Sequence, residues 1–428
     1  MTFITIAVFV LLLILGIPIS LVLGITTVVY FFLNGQSILL DSTPLRMFSG
    51  LENFGLLAIP LFMLMGEIMN EGGITKRLVN FAKLLLGHFR GGLAYVTVVA
   101  NMFLASILGS ANAQAAMMSK VMIPQMEKEG YKREFAGAIT LASSIIAPII
   151  PPSMIFIIYG TLSSTSIGAM FMAGILPGIL FGIVFMGMIA YMGYKQNFPK
   201  SEKSSFYEII IGTIKMLPAI LIPVTVVIGI LTGVFTATES AAIACLLAII
   251  VGTVVYRELK FKKFPRMLIN TVTNTATVTY LIIMANVFGW MIAFEQIPQL
   301  LANLILSFTE SPWVFLLLVN ILLLIVGMLL DGIAALVILV PVLMPLVHTL
   351  NINPVHFGVL ICINLTLGLL TPPVGTGLFI VSSMGNIKFE TLVKSVFPFI
   401  VVSIFILIII TYIPFLVLFI PELLEWKI

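Results

Sequence analysis

The segments GSANAQAAMMSKVMIPQM (109–126) and SSIIAPIIPPS (143–153) have counterparts far down the chain, in GMLLDGIAAL (327–336) and LGLLTPPVGTG (367–377). Shifting the first pair by 221 residues without a gap sets Pro124 on Pro345, Gly137 on Gly358, Pro151-Pro152 on Pro372-Pro373 and Pro177 on Pro398. The same register sets Ser110 on Asp331. Few other side chains agree. What repeats is the set of places where a helix must stop, because glycine loosens a helix and proline removes an amide donor. The chain reads as one structural unit written twice.

Composition sets the solvent. The chain is 61% hydrophobic and only 9% charged, with a mean hydropathy of +1.22. Soluble domains carry about 25% charged residues, so this is an all-α polytopic membrane protein. Apolar runs of about 20 residues, enough to cross a hydrocarbon core, recur throughout. The first run, 3–33, lacks a basic flank and a small-residue cleavage site, which argues against a cleaved signal peptide. Cys245 and Cys362 lie in apolar helical context with no metal-ligand spacing. His88, His348 and His356 fall near loop ends and read as interfacial residues.

Charge placement gives the topology. The run 3–33 is expected to kink at Gly16 and Pro18, and a crossing follows near 54–70. An amphipathic basic stretch, 71–90, then reads as lying along the interface. The run 92–126 is about 35 residues long and broken at Gly109 to Asn112, with basic residues at both ends. Both ends therefore belong on the cytoplasmic side, as a re-entrant hairpin requires. A broken crossing (136–163) and a return (169–193) follow. Two helices, 209–233 and 237–256, then make one excursion between basic loops. From 267 to 387 there is no Lys or Arg, while Glu295 and Glu310 flank the approach to the second hairpin, 313–347. That hairpin, broken at Gly327 to Gly332, should enter from outside. The crossing 356–384 breaks at Thr371 to Pro373, and one last span covers 396–420. The expected organisation is N-terminal scaffold helices and arm (1–91), first transport region (92–193), central scaffold and second arm (194–312), second transport region (313–395) and a C-terminal span (396–428). The two repeats have inverted topology.

Inverted repeats, each with a re-entrant hairpin and a broken transmembrane helix, are the build of a secondary transporter. Unwound backbone at membrane depth is tolerated only where a cavity, ion or substrate satisfies its polar groups. Freed carbonyls and helix C-termini suit Na⁺; helix N-termini and small hydroxyls suit an anionic group. The Na⁺ candidates are Gly109, Ser110, Asn112, Ser143 and Pro148 in the first repeat, and Gly327, Asp331, Gly368, Thr371 and Gly375 in the second. The substrate candidates are Ser110, Asn112, Ser153, Asp331 and Thr376. Asp331 is one of two aspartates in the chain, and placing it mid-membrane costs about 2.5–3.5 kcal/mol on insertion scales. The plain alternatives are a structural acid at Asp331, close packing of small residues around Ser110 and Asn112, and simple proline kinks. Thr236 and Glu239 read as a capping box. Glu67 and Lys120 read as snorkelling or paired side chains.

The runs GSANAQAAMMSKVMIPQM, IIPPS, GVFTATESAAIA, GMLLDG and TPPVG, in this order along the chain, resemble the large membrane subunit of the TRAP (tripartite ATP-independent periplasmic) transporters. The region 109–160 is most similar to sialic-acid systems. The resemblance implies an elevator mechanism coupled to Na⁺ in a bacterial inner membrane. It also implies a small membrane subunit as a separate chain and a periplasmic protein that delivers a carboxylate, N-acetylneuraminate being the expected one. By the same resemblance Ser110, Ser153 and Asp331 match positions near substrate or ions. The only other expected partner is membrane lipid, with no nucleic acid.

No GxxxxGK[ST] loop appears, so ATP is not the direct energy source. Each charge moved across 100 mV is worth about 2.3 kcal/mol. Three other readings stand beside this one: a stand-alone Na⁺/dicarboxylate carrier, a TRAP subunit for a C4-dicarboxylate, and an intramembrane enzyme. The last lacks a His cluster, paired aspartates or HExxH in its apolar segments.

Overall fold

The computed structural model describes residues 2–196, 198–200, 203, 205–297, 299–300 and 311–424. Among these residues the fold is entirely helical. Eight of the described helices are long and apolar enough to cross a membrane by length and composition. Glu310 and part of the expected second arm, 301–310, lie outside the described residues.

The first repeat is built from α6 (Gly92–Leu108), α7 (Ala111–Lys128), α8 (Arg133–Ser144) and α9 (Met154–Ser163). Numbering follows chain order, after α1 (Thr2–Ile14), α2 (Ile19–Leu33), α3 (Thr43–Ser49), α4 (Ala58–Glu71) and α5 (Ile74–Leu86). Between the repeats come α10 (Ile167–Gln196), α11 (Phe206–Leu231), α12 (Ala237–Ile250) and α13 (Phe264–Phe294). The second repeat is α14 (Pro312–Leu329), α15 (Gly332–Thr349), α16 (Pro354–Gly368) and α17 (Thr376–Gly385). The chain closes with α18 (Phe389–Tyr412) and α19 (Phe415–Leu423).

The 221-residue spacing governs helix boundaries up to the second break and then slips. Starts at 111 and 133 become 332 and 354, a difference of 221 each time. After the Pro-Pro turns, 154 becomes 376 and 167 becomes 389, a difference of 222. The gapless register is therefore corrected: two residues part Pro373 from the start of α17, where one parts Pro152 from the start of α9. Pro177 and Pro398, aligned in sequence, fall one position out of step in α10 and α18.

Four further expectations are revised. The 3–33 run is two helices rather than one kinked helix, because Gly16 takes a left-handed φ of +72°. The last span is likewise two helices, parted at Ile413-Pro414. His356 is buried, with Nε2 at 3.0 Å from the Ile410 carbonyl, and is no interfacial residue. Glu67 is taken up below.

The centre of the molecule is the pair α8 and α16. Every residue of α8 from Phe135 to Ser144 is buried, as is every residue of α16 from Val355 to Gly368. A helix apolar on all sides belongs inside a bundle. Hairpin α6–α7 packs on α8 and hairpin α14–α15 on α16, while α9 reaches α16 and α15, and α17 reaches α7 and α8. The two repeats thus make one body. Tyr159 of α9 ties it at one point, donating to the Pro354 carbonyl at 2.7 Å; Arg133 of α8 ties it at another, donating to the Gly385 carbonyl at 2.7 Å.

Outside this body the frame is crossed. Helix α2 packs on α13 and α12 packs on α4. Adding 221 carries α2 onto 240–254 and α4 onto 279–292, so each half lends a helix to the other. Four ion pairs collect at one end of the bundle: Lys263–Glu71, Arg77–Glu258, Lys83–Glu129 and Arg133–Glu127. All are partly exposed, and such pairs contribute about 0–1 kcal/mol each. They mark an end rather than hold the fold.

Candidate functional site

The two hairpin tips meet. Helix α6 stops because Gly109 turns left-handed (φ +57°), and Ser110 opens α7 by accepting from the Ala113 amide at 3.4 Å. Helix α14 stops at an extended Leu330, and Asp331 opens α15, its Oδ2 accepting from the Ile333 amide at 3.1 Å. A cleft of about 50 Å³ lies between them. Its walls include Gly109, Ser110, Asn112 and Pro148 from the first repeat and Asp331 and Thr366 from the second.

Asn112 joins the halves. Its Nδ2 lies 3.5 Å from Asp331 Oδ1 and 3.3 Å from Thr376 Oγ1. Thus five expected site residues from the two repeats line one cleft, and Thr376 adjoins it. No Lys, Arg or His lines this cleft among the described residues. Among the described residues, the Asp331 carboxylate, accessible from the cleft, has only amide N–H groups and the Asn112 amide to stabilise its charge.

A second cluster forms behind the Asp331 tip. Gly368 presses on Gly327 so closely that a Cβ on Gly368 would lie 2.2 Å from the Gly327 carbonyl carbon. The Gly375 amide donates to the Met328 carbonyl at 3.3 Å. A Cβ on Gly375, itself left-handed (φ +49°), would lie 2.9 Å from the Thr371 carbonyl oxygen. Gly327, Gly368, Thr371 and Gly375 are therefore one backbone-built cradle. Such a donor set of neutral oxygens suits a hard monovalent cation better than a transition metal.

Two candidates sit elsewhere. Ser153 is fully buried and its hydroxyl is committed: it donates to the Pro148 carbonyl at 2.5 Å and caps α9 at the Phe156 amide. Ser143 is also fully buried; its hydroxyl receives Asn101 Nδ2 and donates to the Ile139 carbonyl. Gln114 completes this network by donating to Asn101. Asn364, the counterpart of Ser143, bonds Asn320, which bonds Thr411. Thr236 and Glu239 form the expected capping box, with Glu239 Oε2 at 2.8 Å from the Thr236 amide.

Sequence reasoning missed the larger space beside the cleft. A cavity of about 370 Å³ shares Ser110, Met154 and Ile333 with it and is walled on the far side by α4 and α13. That wall carries Glu67 and Asn70 on α4 and Thr271, Asn274 and Thr277 on α13. The signal was present in the sequence: polar residues every third position within apolar helices share one face. The wall lies toward the ion-paired ends of both helices. At the opposite end a vestibule of about 1010 Å³ opens among the turns at 53–55, 164–168 and 233–239.

This architecture has known relatives. The family model described as "Tripartite ATP-independent periplasmic transporter, DctM component" matches residues 6–416. The chain belongs to that family. Like other such large permeases it is a multi-pass membrane transporter and not an enzyme. It is 42% identical over 378 residues to the sialic acid TRAP transporter large permease of Vibrio cholerae, covering 88% of each chain. It is 35% identical over 381 residues to the C4-dicarboxylate large permease of Pseudomonas aeruginosa, covering 89% of each. The YdaH transporter of Alcanivorax borkumensis shares the fold, with a TM-score of 0.67 at 14% identity, over 92% of this large permease and 96% of that chain.

Proposed function

We propose that this large permease imports a carboxylate, N-acetylneuraminate, by Na⁺ symport, with the α6–α9 and α14–α17 body moving as an elevator against the α2, α4, α12 and α13 frame. The observation that carries the reading is Asp331: a carboxylate at the meeting of two broken repeats, in a cleft lined by neutral groups. A charge so placed needs a cation, and Na⁺ entering as cargo supplies it. The Gly327–Gly368–Thr371–Gly375 cradle would hold one ion. The Ser110–Asn112–Pro148 surface would hold another, with the carbonyls of 143–149 behind it.

The amino ends of α7 and α15 point at the same cleft and favour the anionic head of the substrate. With the ion-paired end cytoplasmic, as its Lys and Arg content directs, the 370 Å³ cavity is a cytoplasmic exit and this state is inward-facing. The repeats are then inverted in the bilayer of the bacterial inner membrane. The tripartite family description supports two partners, a small membrane subunit and a periplasmic protein that delivers the substrate. The 42% identity to a sialic acid permease supports the substrate.

The test is reconstitution with both partners in proteoliposomes. Uptake of N-acetylneuraminate should require an inward Na⁺ gradient. Equal uptake on a proton gradient without Na⁺ overturns the coupling. Uptake without the soluble protein points instead to a stand-alone carrier.

A further inference from the structure

The far wall of the 370 Å³ cavity has a composition of its own. Helices α4 and α13 present two amides, Asn70 and Asn274, two hydroxyls, Thr271 and Thr277, and one carboxylate, Glu67. No Lys, Arg or His lines the cavity among the described residues. Glu67 is half-buried, makes no ion pair among the described residues, and shares a hydrogen bond with Asn270. Arg266 and Glu71 are charged groups that act on it electrostatically, and neither lines the cavity. Thr271 Oγ1 is buried with no hydrogen-bond partner, so the wall holds a polar atom that the protein itself leaves unmatched. Acidic side chains within apolar helices are costly and mark pathways for cargo.

From this we infer that the α4–α13 wall is the second half of the substrate site and that Glu67 is a charge filter. It accepts hydrogen bonds from a neutral hydroxyl- or amide-bearing body and rejects any substrate with a second anionic group. The inference rests on the transport reading above and deepens it. One anionic head sits at the α7 and α15 amino ends. The remainder of the molecule lies against Glu67, Asn70 and Asn274, where a second carboxylate would meet a carboxylate and no cation among the lining residues. Discrimination by a misplaced like charge is a general route to specificity.

The test is titration of N-acetylneuraminate and of succinate, in Na⁺, into the purified membrane complex without the soluble protein. Wild type should bind N-acetylneuraminate and only weakly bind succinate. Glu67→Gln should bind succinate about tenfold more tightly, the order expected when one like-charge repulsion is removed from a half-solvated cavity. Glu67→Asp, which keeps the charge, should behave as wild type. Asn70→Lys, a turn along the same wall, should admit succinate with Glu67 intact, so the inference does not hang on one variant assembling. If Glu67→Gln and Asn70→Lys bind succinate no better than wild type, the filter is refuted. If wild type fails to bind N-acetylneuraminate while both variants gain succinate, the filter stands and the substrate assignment falls.

Discussion

The two hairpin tips occupy matched places and use different chemistry. The first is neutral and small: Gly109 turns the chain and Ser110 caps α7 with a hydroxyl. The second is charged and tightly seated: Asp331 caps α15 with a carboxylate, and Gly327 touches Gly368 backbone to backbone. At the position matching Gly368, 221 residues earlier, the first repeat carries Ala147, so it accommodates the Cβ that the second excludes. The breaks match in position while their contents differ. One tip carries a hydroxyl, and the other carries the charge.

That contrast can be broken at its root. Cysteines at Lys128 and Thr349, exposed and 221 residues apart at the ends of α7 and α15, should react with impermeant reagents from opposite faces of the membrane. The native Cys245 and Cys362 are buried and should give little background. Labelling of both from one face would end the inverted-repeat reading.

The next largest effect is expected at the charge. Asp331→Asn keeps the cap and removes the countercharge, so uptake should fall at least about a hundredfold, an expectation scaled to ~3 kcal/mol of lost cation attraction. Membrane abundance should stay normal; a structural acid would instead show as a protein missing from the membrane.

Gly368→Ala tests the seat. The added methyl meets the Gly327 backbone, and overpacking of this kind costs roughly 1–3 kcal/mol. Uptake should drop about tenfold or more, with weaker Na⁺ protection against heating. Ala147→Gly, the mirror change, should leave both near wild type; equal damage at both positions would deny the asymmetry.

Ser110→Ala should do least. A lost cap costs about 1 kcal/mol, so a few-fold decrease in uptake with a modest rise in the Na⁺ concentration needed is expected. A loss as deep as that of Asp331→Asn would mean the neutral tip carries as much of the coupling as the charged one.

What could be read from the sequence was the punctuation. Gly109, Pro151-Pro152 and Pro372-Pro373 declare local backbone events and each lies in a helix break, whereas α14 runs through Gly327 and stops at Leu329. The tip residues were legible because Ser110, Asn112 and Asp331 are polar in apolar surroundings. The extra residue between the second Pro-Pro pair and its helix was hidden because Pro177 and Pro398 align as well without it. Ser153 shows a hydroxyl in sequence but not that the Pro148 carbonyl engages it. Glu67 looked like an end-of-helix acid because only tertiary packing sets α13 opposite α4 and opens a cavity there. Contacts between distant segments have no local signature.

The crossed frame has a consequence during synthesis. Helix α2 is complete at Leu33, but its partner α13 begins only at Phe264, 231 residues later. At translation rates of about 5–20 residues per second, α2 waits in the bilayer for roughly 10–50 s before its packing surface is covered. Through that interval lipid, an insertase or a neighbouring chain must occupy the face bearing Leu23, Thr27 and Phe31. The protein's most exposed moment comes on the ribosome, well before it ever carries a substrate.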